Sequence, residues 1–202
     1  MRGVVELLER WFGAWDDRVP LADGDPQMAL WWGKNEAVDA ELRERFGDLH
    51  WAAARRELDD WAEAPDTAVA RVLLLDQIPR NIFRHTGHMF ATDGLAQQAS
   101  LALLDGPLWT QLPAIHRYFA LMPLMHSEQL VHHDRAVEGF EGLVAATEGR
   151  ERHEVYRQGL LYEHKHRDIV ARFGRYPHRN ELLGRPSTDE ERAFLTQPGS
   201  SF

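Results

Sequence analysis

Apolar residues recur along the chain at intervals of three and four positions, the spacing that gathers them on one face of an α-helix. The alternation of apolar and polar residues that is typical of half-buried strands is missing. The pattern predicts an all-α protein with about eight or nine helices, and residues 14–34 are expected to form a long loop with room for one helical turn. The predicted helices span residues 3–12, 35–46, 49–62, 66–76, 93–104, 113–121, 123–146, 152–173 and 188–195.

Three local signals support the predicted helix ends. Pro65 suits the first turn of a helix, Gly174 suits a C-terminal cap, and Thr188 with Glu191 forms the T-x-x-E pattern of a capping box. No linker or low-complexity segment divides the chain. We therefore expect a single α-helical domain over residues 1–202, in which antiparallel helical hairpins form a bundle or a right-handed stack.

Several polar residues occupy positions where the helical period requires an apolar side chain. Asp76 continues the apolar stripe of its helix and lies at the predicted C-terminal end, where the helix dipole disfavours negative charge. His126 and His133 lie on the stripe of the 123–146 helix, and His166 lies on that of a later helix. A buried carboxylate needs a cationic or hydrogen-bonding partner, so Asp76 is expected to meet an arginine.

Each of these residues also has a purely structural interpretation. A histidine on an apolar stripe often serves only to complete hydrogen bonds inside the core. A buried aspartate beside a Pro-Arg-Asn sequence can fix a loop through a salt bridge. In favour of function, Asp76, His126 and His166 all lie at or near predicted helix ends, where the loops of a helical stack can gather into one cleft. Both interpretations stay open.

The charge of the chain is unevenly distributed. The net charge is −9, yet residues 164–185 carry six Lys or Arg against two acidic residues, a local charge of +4 that leaves −13 for the rest. A basic segment in an acidic protein indicates either an internal acidic partner or an anionic ligand. The acidic balance argues against non-specific binding of nucleic acid or of acidic membranes.

Composition also narrows the class of protein. The chain contains no cysteine, which excludes disulfides and thiolate chemistry and suits a reducing cytoplasm. Its N-terminal stretch carries two glutamates and no cleavage signal, and no apolar run approaches the roughly 20 residues that cross a bilayer. We therefore expect a cytoplasmic protein that does not act in the membrane.

Five sequence stretches resemble a known bacterial family in their order and spacing. They are LLLDQIPRNIFR, FATD, MPLMHSE, HRDIVARFGRYPHRNELLGR and STDEERAFL. The family is catalogued as domain of unknown function 924, and the resemblance covers essentially the whole chain. It implies a tetratricopeptide-like α-helical fold and no established biochemical function. The repeat consensus of about 34 residues is itself not visible here, so the tetratricopeptide-like expectation depends on the resemblance.

The resemblance also identifies polar positions that are characteristic of the family. They correspond here to Asp76, Gln77, Arg80, Asn81, His126, Ser127, Glu128, His166, Arg172, Arg175, His178, Arg179, Asn180 and Arg185. Three of them, Asp76, His126 and His166, also stand out on the apolar stripes. The family usually has an Asp-Gln pair where this chain has His132 and His133, so any role of His133 would be particular to this protein.

The favoured function is the binding of a small anionic ligand or an acidic peptide. A helical stack presents a concave surface, and arginine recognises carboxylate and phosphate groups. The ligand is expected to contact two proline-anchored loops, DQIPRN and RYPHRN, which form one cleft together with the HSE segment at residues 126–128. The residues expected to bind it are Arg80, Asn81, Arg172, Arg175, His178, Arg179 and Asn180.

The alternative is a metal-independent hydrolase or lyase. His126 with Glu128 or Asp76 would supply a base and its orienting carboxylate, and His166 is a further catalytic candidate. Ser127 is a poor partner for His126, because adjacent residues on a helix point about 100° apart. The sequence contains no nucleophile elbow, phosphate loop or dinucleotide fingerprint. A third interpretation is a purely structural polar core in a protein-interaction scaffold.

Neither a cofactor nor a metal ion is expected. His126, His133 and His166 with a carboxylate would be acceptable ligands for zinc or iron. However, the sequence has no HExxH motif, and Glu163 with His166 provides one E-x-x-H where a di-iron bundle requires two. The sequence leaves open whether His132 and His133 create a metal site in this protein.

Association with other protein chains is also left open, either as a homo-oligomer or with a different partner. Trp31 and Trp32 are expected to pack inside the molecule. Exposure of this pair would instead indicate a protein interface.

Overall fold

The computed structural model describes residues 2–200. Within this range the chain forms nine α-helices and no strand, so the all-α prediction is confirmed. The helices are α1 (Arg2–Phe12), α2 (Pro26–Trp32), α3 (Glu36–Ala54), α4 (Pro65–Ile82), α5 (Asp93–Asp105), α6 (Ala114–Met125), α7 (Leu130–Ala146), α8 (His153–Phe173) and α9 (Asp189–Leu195). Short 3₁₀ turns span Asp59–Glu63, Gly87–Phe90, Trp109–Gln111 and Pro177–Arg179.

Consecutive helices pack against each other from α3 to α8. α4 also contacts α1 and α6, and α6 also contacts α8, so these two helices lie at the centre of the molecule. Both are apolar on most of their faces because they have neighbours on most sides. The tetratricopeptide-like arrangement and the single domain stay predictions. No helix in the part of the chain that the structure describes is long and apolar enough to cross a membrane.

Aromatic side chains join the N-terminal region to α6. Phe12, Trp31 and Phe119 lie edge to face, with ring centroids 4.8–6.4 Å apart. Trp31 is buried and donates a hydrogen bond from Nε1 to the carbonyl oxygen of Trp11 at 2.8 Å. Its neighbour Trp32 is 46% exposed. The expected long loop over residues 14–34 therefore contains a seven-residue helix that packs into the core through one of its tryptophans.

Two predicted helices, 35–46 and 49–62, are wrong as separate elements. α3 continues through Gly47 to Ala54, because Phe46 and His50 remain buried on the same side of the helix. A glycine in a helix interior costs about 1 kcal/mol relative to alanine, which such burial readily offsets. The chain after Ala54 forms turns and one 3₁₀ turn instead of the predicted helix.

The predicted end of α4 at residue 76 is also wrong, since the helix runs through Pro79 to Ile82. Proline lacks the amide that would normally bond to the carbonyl oxygen four residues earlier, which here belongs to Leu75. The hydroxyl of Thr92 donates to that oxygen at 2.6 Å, so the carbonyl is not left unpaired. Asp76 therefore lies inside the helix, and DQIPRN forms helical turns instead of a loop.

The boundary between the next two predicted helices, 113–121 and 123–146, is displaced as well. α6 continues through Pro123 to Met125, and α7 starts only at Leu130. His126 caps the end of α6 and so does not share a helical stripe with His133, contrary to the prediction.

The three signals for helix ends are confirmed. Pro65 is the first residue of α4, and Gly174 ends α8 with a φ of 69°, in the left-handed region that glycine favours. Thr188 and Glu191 exchange the two hydrogen bonds of a capping box at the start of α9. The turn at Gly174 directs the chain after α8 back across the ends of α4, α5 and α6, where the candidate site lies.

Candidate functional site

Polar side chains from four elements meet at one end of α4. They come from α4 itself, the first turn of α5, the turn that follows α6 and the loop that follows α8. We refer to them as the polar cluster, and it consists of Asp76, Arg80, Asp93, His126, Tyr176 and Arg179. The site thus joins residues that are about a hundred positions apart in the sequence.

Asp76 and His126 form a buried pair within the polar cluster. Asp76 is completely buried, and its carboxylate lies 2.8 and 3.1 Å from Nδ1 of His126. Gln77 donates a further hydrogen bond to this carboxylate at 2.6 Å. Burial alone would raise the pKa of Asp76, but the charge of Arg80 and the contacts with His126 and Gln77 outweigh it and bring the pKa to about 2. Asp76 is therefore ionised at neutral pH.

The ring of His126 is held in a defined orientation. A carboxylate can only accept, so Nδ1 of His126 donates its proton to Asp76 and Nε2 is the acceptor nitrogen of the neutral ring. Burial and the positive charge of Arg80 lower the pKa of His126 despite the nearby carboxylate. The side chain keeps 12% exposure. This arrangement, an imidazole oriented by a buried carboxylate, is the one that general bases use.

Two arginines share one carboxylate in the polar cluster. Arg80 donates to both oxygens of Asp93, at 3.0 and 3.3 Å, and Arg179 donates to Oδ2 at 3.1 Å. Asp93 lies in the first turn of α5, where the helix dipole favours a negative charge. The cluster thus contains two cations, Arg80 and Arg179, and two anions, Asp76 and Asp93. It is neutral overall when His126 is neutral.

Arg179 is the least satisfied of these charged groups. Its guanidinium carbon lies 4.6 Å from the ring centroids of both Phe90 and Tyr176, and its side chain is only 7% exposed. The bond to Asp93 is its sole hydrogen bond within residues 2–200, and its Nε is buried without an acceptor there. Burial lowers the pKa of Arg179. A buried donor left unpaired costs about 1–3 kcal/mol of stability. Packing against the two aromatic rings and the ion pair with Asp93 hold the side chain in place despite this cost.

Glu128 fixes the loop after α8 and does not contact His126. Arg185 donates to its two carboxylate oxygens at 2.7 and 2.9 Å, and the backbone N–H of Tyr176 donates to Oε1 at 2.8 Å. The hydroxyl of Tyr176 in turn donates to the carbonyl oxygen of Met125 at 2.5 Å. These bonds hold Tyr176 against Arg179. Of the two carboxylates considered as partners of His126, the geometry selects Asp76.

A second buried pair lies behind Tyr176. His133 and Glu163 are both completely buried, with Nδ1 and Oε1 2.7 Å apart. Nε2 of His133 donates to the carbonyl oxygen of Ser127 at 2.8 Å, and burial raises the pKa of Glu163. The pair joins α7 and α8 to the turn that carries His126. His132 contacts Oγ of Ser127 at 2.9 Å, so this serine is paired with His132 and not with His126.

Two further histidines lie beside the polar cluster. The rings of His166 and His178 are centred 5.7 and 5.4 Å from the ring of Tyr176. His166 also contacts the carbonyl oxygen of Tyr162 through Nδ1 at 2.7 Å. Burial lowers the pKa of His166 to about 3 and that of His178 to about 4, so both rings are neutral at physiological pH.

The remaining predicted ligand residues lie elsewhere. Asn81 donates to Asp39 at 2.9 Å and links α4 to α3. Arg172 and Arg175 pair with glutamates of α9. Asn180 donates to Ser187 and accepts from Arg185.

Sequence reasoning missed three residues of this region. Asp93 was hidden because an aspartate at a helix start is usually explained by capping. Tyr176 was overlooked within the basic segment. Glu163 was noted only for its E-x-x-H spacing, although that spacing already placed it on the same helical face as His166.

Among the described residues, no group of three or more histidines and carboxylates is arranged to hold a metal ion. Two surface cavities, of about 240 and 370 Å³, lie elsewhere and are lined by other residues.

The comparisons with known proteins agree with the sequence motifs. A search of curated proteins finds no match. A solved structure from Agrobacterium tumefaciens, that of the protein of unknown function ATU0120, is 36% identical and has a TM-score of 0.76; the match covers 95% of this chain and 96% of that one. A family model matches residues 7–199. The chain belongs to that family, which is described as a bacterial protein of unknown function (DUF924).

Proposed function

We propose that this protein binds a small anion, a carboxylate or a phosphate group, at the polar cluster. Arg179 is the anchor of the proposed site. The observation that carries the proposal is the state of this side chain, which is more than nine-tenths buried, carries a full charge and makes one hydrogen bond among the described residues. An anion would supply the acceptors that the guanidinium lacks.

The surroundings of Arg179 support this role. Phe90 and Tyr176 hold the guanidinium on both faces, so little side-chain freedom is left to lose when a ligand binds. Arginine presents its donors in a planar fork that matches carboxylate and phosphate oxygens. Arg80 and His126 keep 16% and 12% exposure, so solvent reaches the polar cluster at these two side chains. The proposed ligand is a single carboxylate or phosphate group, either free or at the end of an acidic side chain.

The proposal is tested by titrating the protein with inorganic phosphate and with acetate in a calorimeter. Arg179→Met keeps the aliphatic stem and removes the charge, and we expect it to weaken anion binding by at least about tenfold, the effect of losing a charged hydrogen bond. Arg172→Met is the matched control, because Arg172 is half exposed and pairs with Glu190 outside the cluster. Equal losses in the two variants, or no binding of either anion to the native protein, would contradict the proposal.

A second variant, Arg179→Lys, is the control for any destabilisation of Arg179→Met. Lysine keeps the charge opposite Asp93 but lacks the planar fork. If anion binding is the role, this variant stays folded and binds the anion more weakly than the native protein. If Arg179 only holds the fold, native affinity is retained in Arg179→Lys.

The second candidate function is metal-independent hydrolysis or elimination with His126 as the base. The contact of Nδ1 with Asp76 favours it, because the opposite nitrogen of a neutral ring is then ready to accept a proton. The distinguishing variant is His126→Gln, assayed against phosphate monoesters, carboxylic esters and 3-hydroxy acids. An enzyme would retain phosphate or acetate binding in this variant and lose turnover by about 100-fold or more. Absence of turnover in the native protein for all three classes would leave binding as the function.

A further inference from the structure

A surface cavity that is separate from the polar cluster lies between α5, α6 and α7. It has a volume of about 240 Å³ and is bordered by α5, the 3₁₀ turn at Trp109–Gln111, α6 and α7. Trp109 and Arg117 line it from one side, and Gly139 and Gly142 of α7 from the other. None of the residues of the polar cluster lines it.

Arg117 brings an uncompensated positive charge to this cavity. Its Nε and Nη2 donate to the carbonyl oxygens of Leu112 and Thr110, at 2.9 and 3.1 Å. No ion pair joins its guanidinium to a carboxylate among the described residues, and burial lowers its pKa. The guanidinium carbon is 5.8 Å from the centre of the Trp109 ring. An arginine that lines a cavity without an acidic partner has a charge that a carboxylate or phosphate would neutralise.

Of the charged side chains that line the cavity, Arg117 and Arg135 are positive and Glu138 is negative. Arg135 forms an ion pair with Asp105 and lies 3.8 Å from Glu138. Arg117 is therefore the cation of this lining that has no carboxylate partner among the described residues. Trp109 adds a partly buried aromatic wall beside this charge.

The two glycines of α7, Gly139 and Gly142, have different surroundings. A Cβ at Gly139 would lie 2.5 Å from the side chain of Leu121, so the packing of α6 on α7 requires a glycine there. A Cβ at Gly142 would meet nothing within 4 Å. Glycine inside a helix is destabilising relative to alanine, and packing does not explain it at this position. A side chain much larger than a methyl group at Gly142 would extend into the cavity that this residue lines.

We propose that this cavity binds a small aromatic carboxylate. The carboxylate pairs with Arg117, and the ring lies between the indole of Trp109 and the glycine face of α7. The volume admits one ring with its carboxylate and is at the lower limit of ligand sites, so larger cofactors are excluded. This site does not depend on the function proposed for the polar cluster, because the two share no residue.

The test uses benzoate, followed by saturation-transfer NMR and calorimetry, with benzamide as the neutral analogue of the same shape. We expect native protein to bind benzoate at least about tenfold more tightly than benzamide, and Arg117→Met to lose at least about tenfold in benzoate affinity, as for a charged hydrogen bond. Gly142→Leu fills the cavity and is expected to abolish binding. Gly142→Ala adds one methyl group in open space and keeps the affinity within about twofold.

Several outcomes would overturn the proposal. One is the absence of benzoate binding to the native protein; another is equal binding to Gly142→Leu and Gly142→Ala. Arg179→Met separates this site from the polar cluster, since it should leave benzoate affinity unchanged. Loss of benzoate binding in Arg179→Met, with affinity kept in Arg117→Met, would assign the ligand to the polar cluster. If Arg117→Met fails to fold, the two Gly142 variants still decide the question.

Discussion

Asp76 shows at the scale of one residue how a buried charge is maintained. Its pKa of about 2 lies below the ordinary aspartate value of 3.8, so the folded protein holds the ionised form more strongly than the unfolded chain does. The contribution to stability is therefore fully present above pH 4 and is lost as the pH falls toward 2. It amounts to about 2 kcal/mol at neutral pH.

The variant Asp76→Asn tests whether the ionised form of Asp76 stabilises the folded protein. At pH 7 we expect it to lower the free energy of unfolding by about 2 kcal/mol or more, since His126 and Arg80 lose their carboxylate. The difference from native protein should narrow between pH 4 and about pH 2.5 in urea titrations. Asp60→Asn, at an exposed position, is the control. A difference that stays constant with pH would show that the ionisation of Asp76 does not contribute.

Single residues of the site were partly predictable from the sequence. Asp76 and His166 stand out because a charged or polar side chain on an apolar stripe violates the helical pattern. His126 was singled out for a stripe that the structure does not contain, since it lies between α6 and α7. Asp93 and Tyr176 violate no pattern, since one looks like an ordinary helix start and the other like an ordinary aromatic residue. Their roles depend on which segments meet, and periodicity carries no information on that.

Proline does not end the helices of this fold where local propensity predicts an end. α4 and α6 each contain an internal proline, although proline in a helix interior usually breaks the helix. Most of α4 is buried, and the carbonyl that Pro79 leaves without its helical partner accepts a hydrogen bond from Thr92. In α4 the sequence-based boundary failed because the contact with Thr92 completes what the local sequence leaves open.

Replacing Thr92 by valine tests this explanation for α4. Valine has nearly the same shape but no hydroxyl, so the buried carbonyl of Leu75 would lose its donor. We expect a loss of about 1–2 kcal/mol in the free energy of unfolding, measured with urea. Thr86→Val is the matched control: its hydroxyl donates to Phe83 at an exposed position, where water can replace it. A loss of less than about 0.5 kcal/mol in Thr92→Val, typical of surface changes, would refute the explanation.

Buried neutral histidines give the whole molecule a common response to acid. Burial lowers the pKa of His116 and His178 to about 4 and that of His166 to about 3, against 6.5 for the free side chain. Between about pH 6.5 and 4 the unfolded chain therefore binds more protons than the folded protein, and stability falls as the pH is lowered. Glu163, whose pKa burial raises, opposes this trend only in part.

The expected result is a steep loss of stability in mild acid. Three histidines that are charged in the unfolded chain and neutral in the folded protein correspond to about 4 kcal/mol per pH unit near pH 5. Urea midpoints at pH 7.5, 6 and 5 measure this, and His166→Phe should reduce the slope by about one third if the fold is kept. Stability that is unchanged between pH 7.5 and 5 would show that these rings accept protons without unfolding.

The loop after α8, which carries Arg179 and Tyr176, has a consequence for biosynthesis. Arg179 pairs with Asp93, 86 positions earlier, and Arg185 pairs with Glu128, 57 positions earlier. A ribosome releases α3 to α7 well before it releases this loop, and contacts over such sequence distances form late because the intervening chain must first be ordered. The proposed anion binding at Arg179 would thus be acquired only after synthesis has passed Arg185. Until then, the nascent chain contains Asp76 and Asp93 but not Arg179.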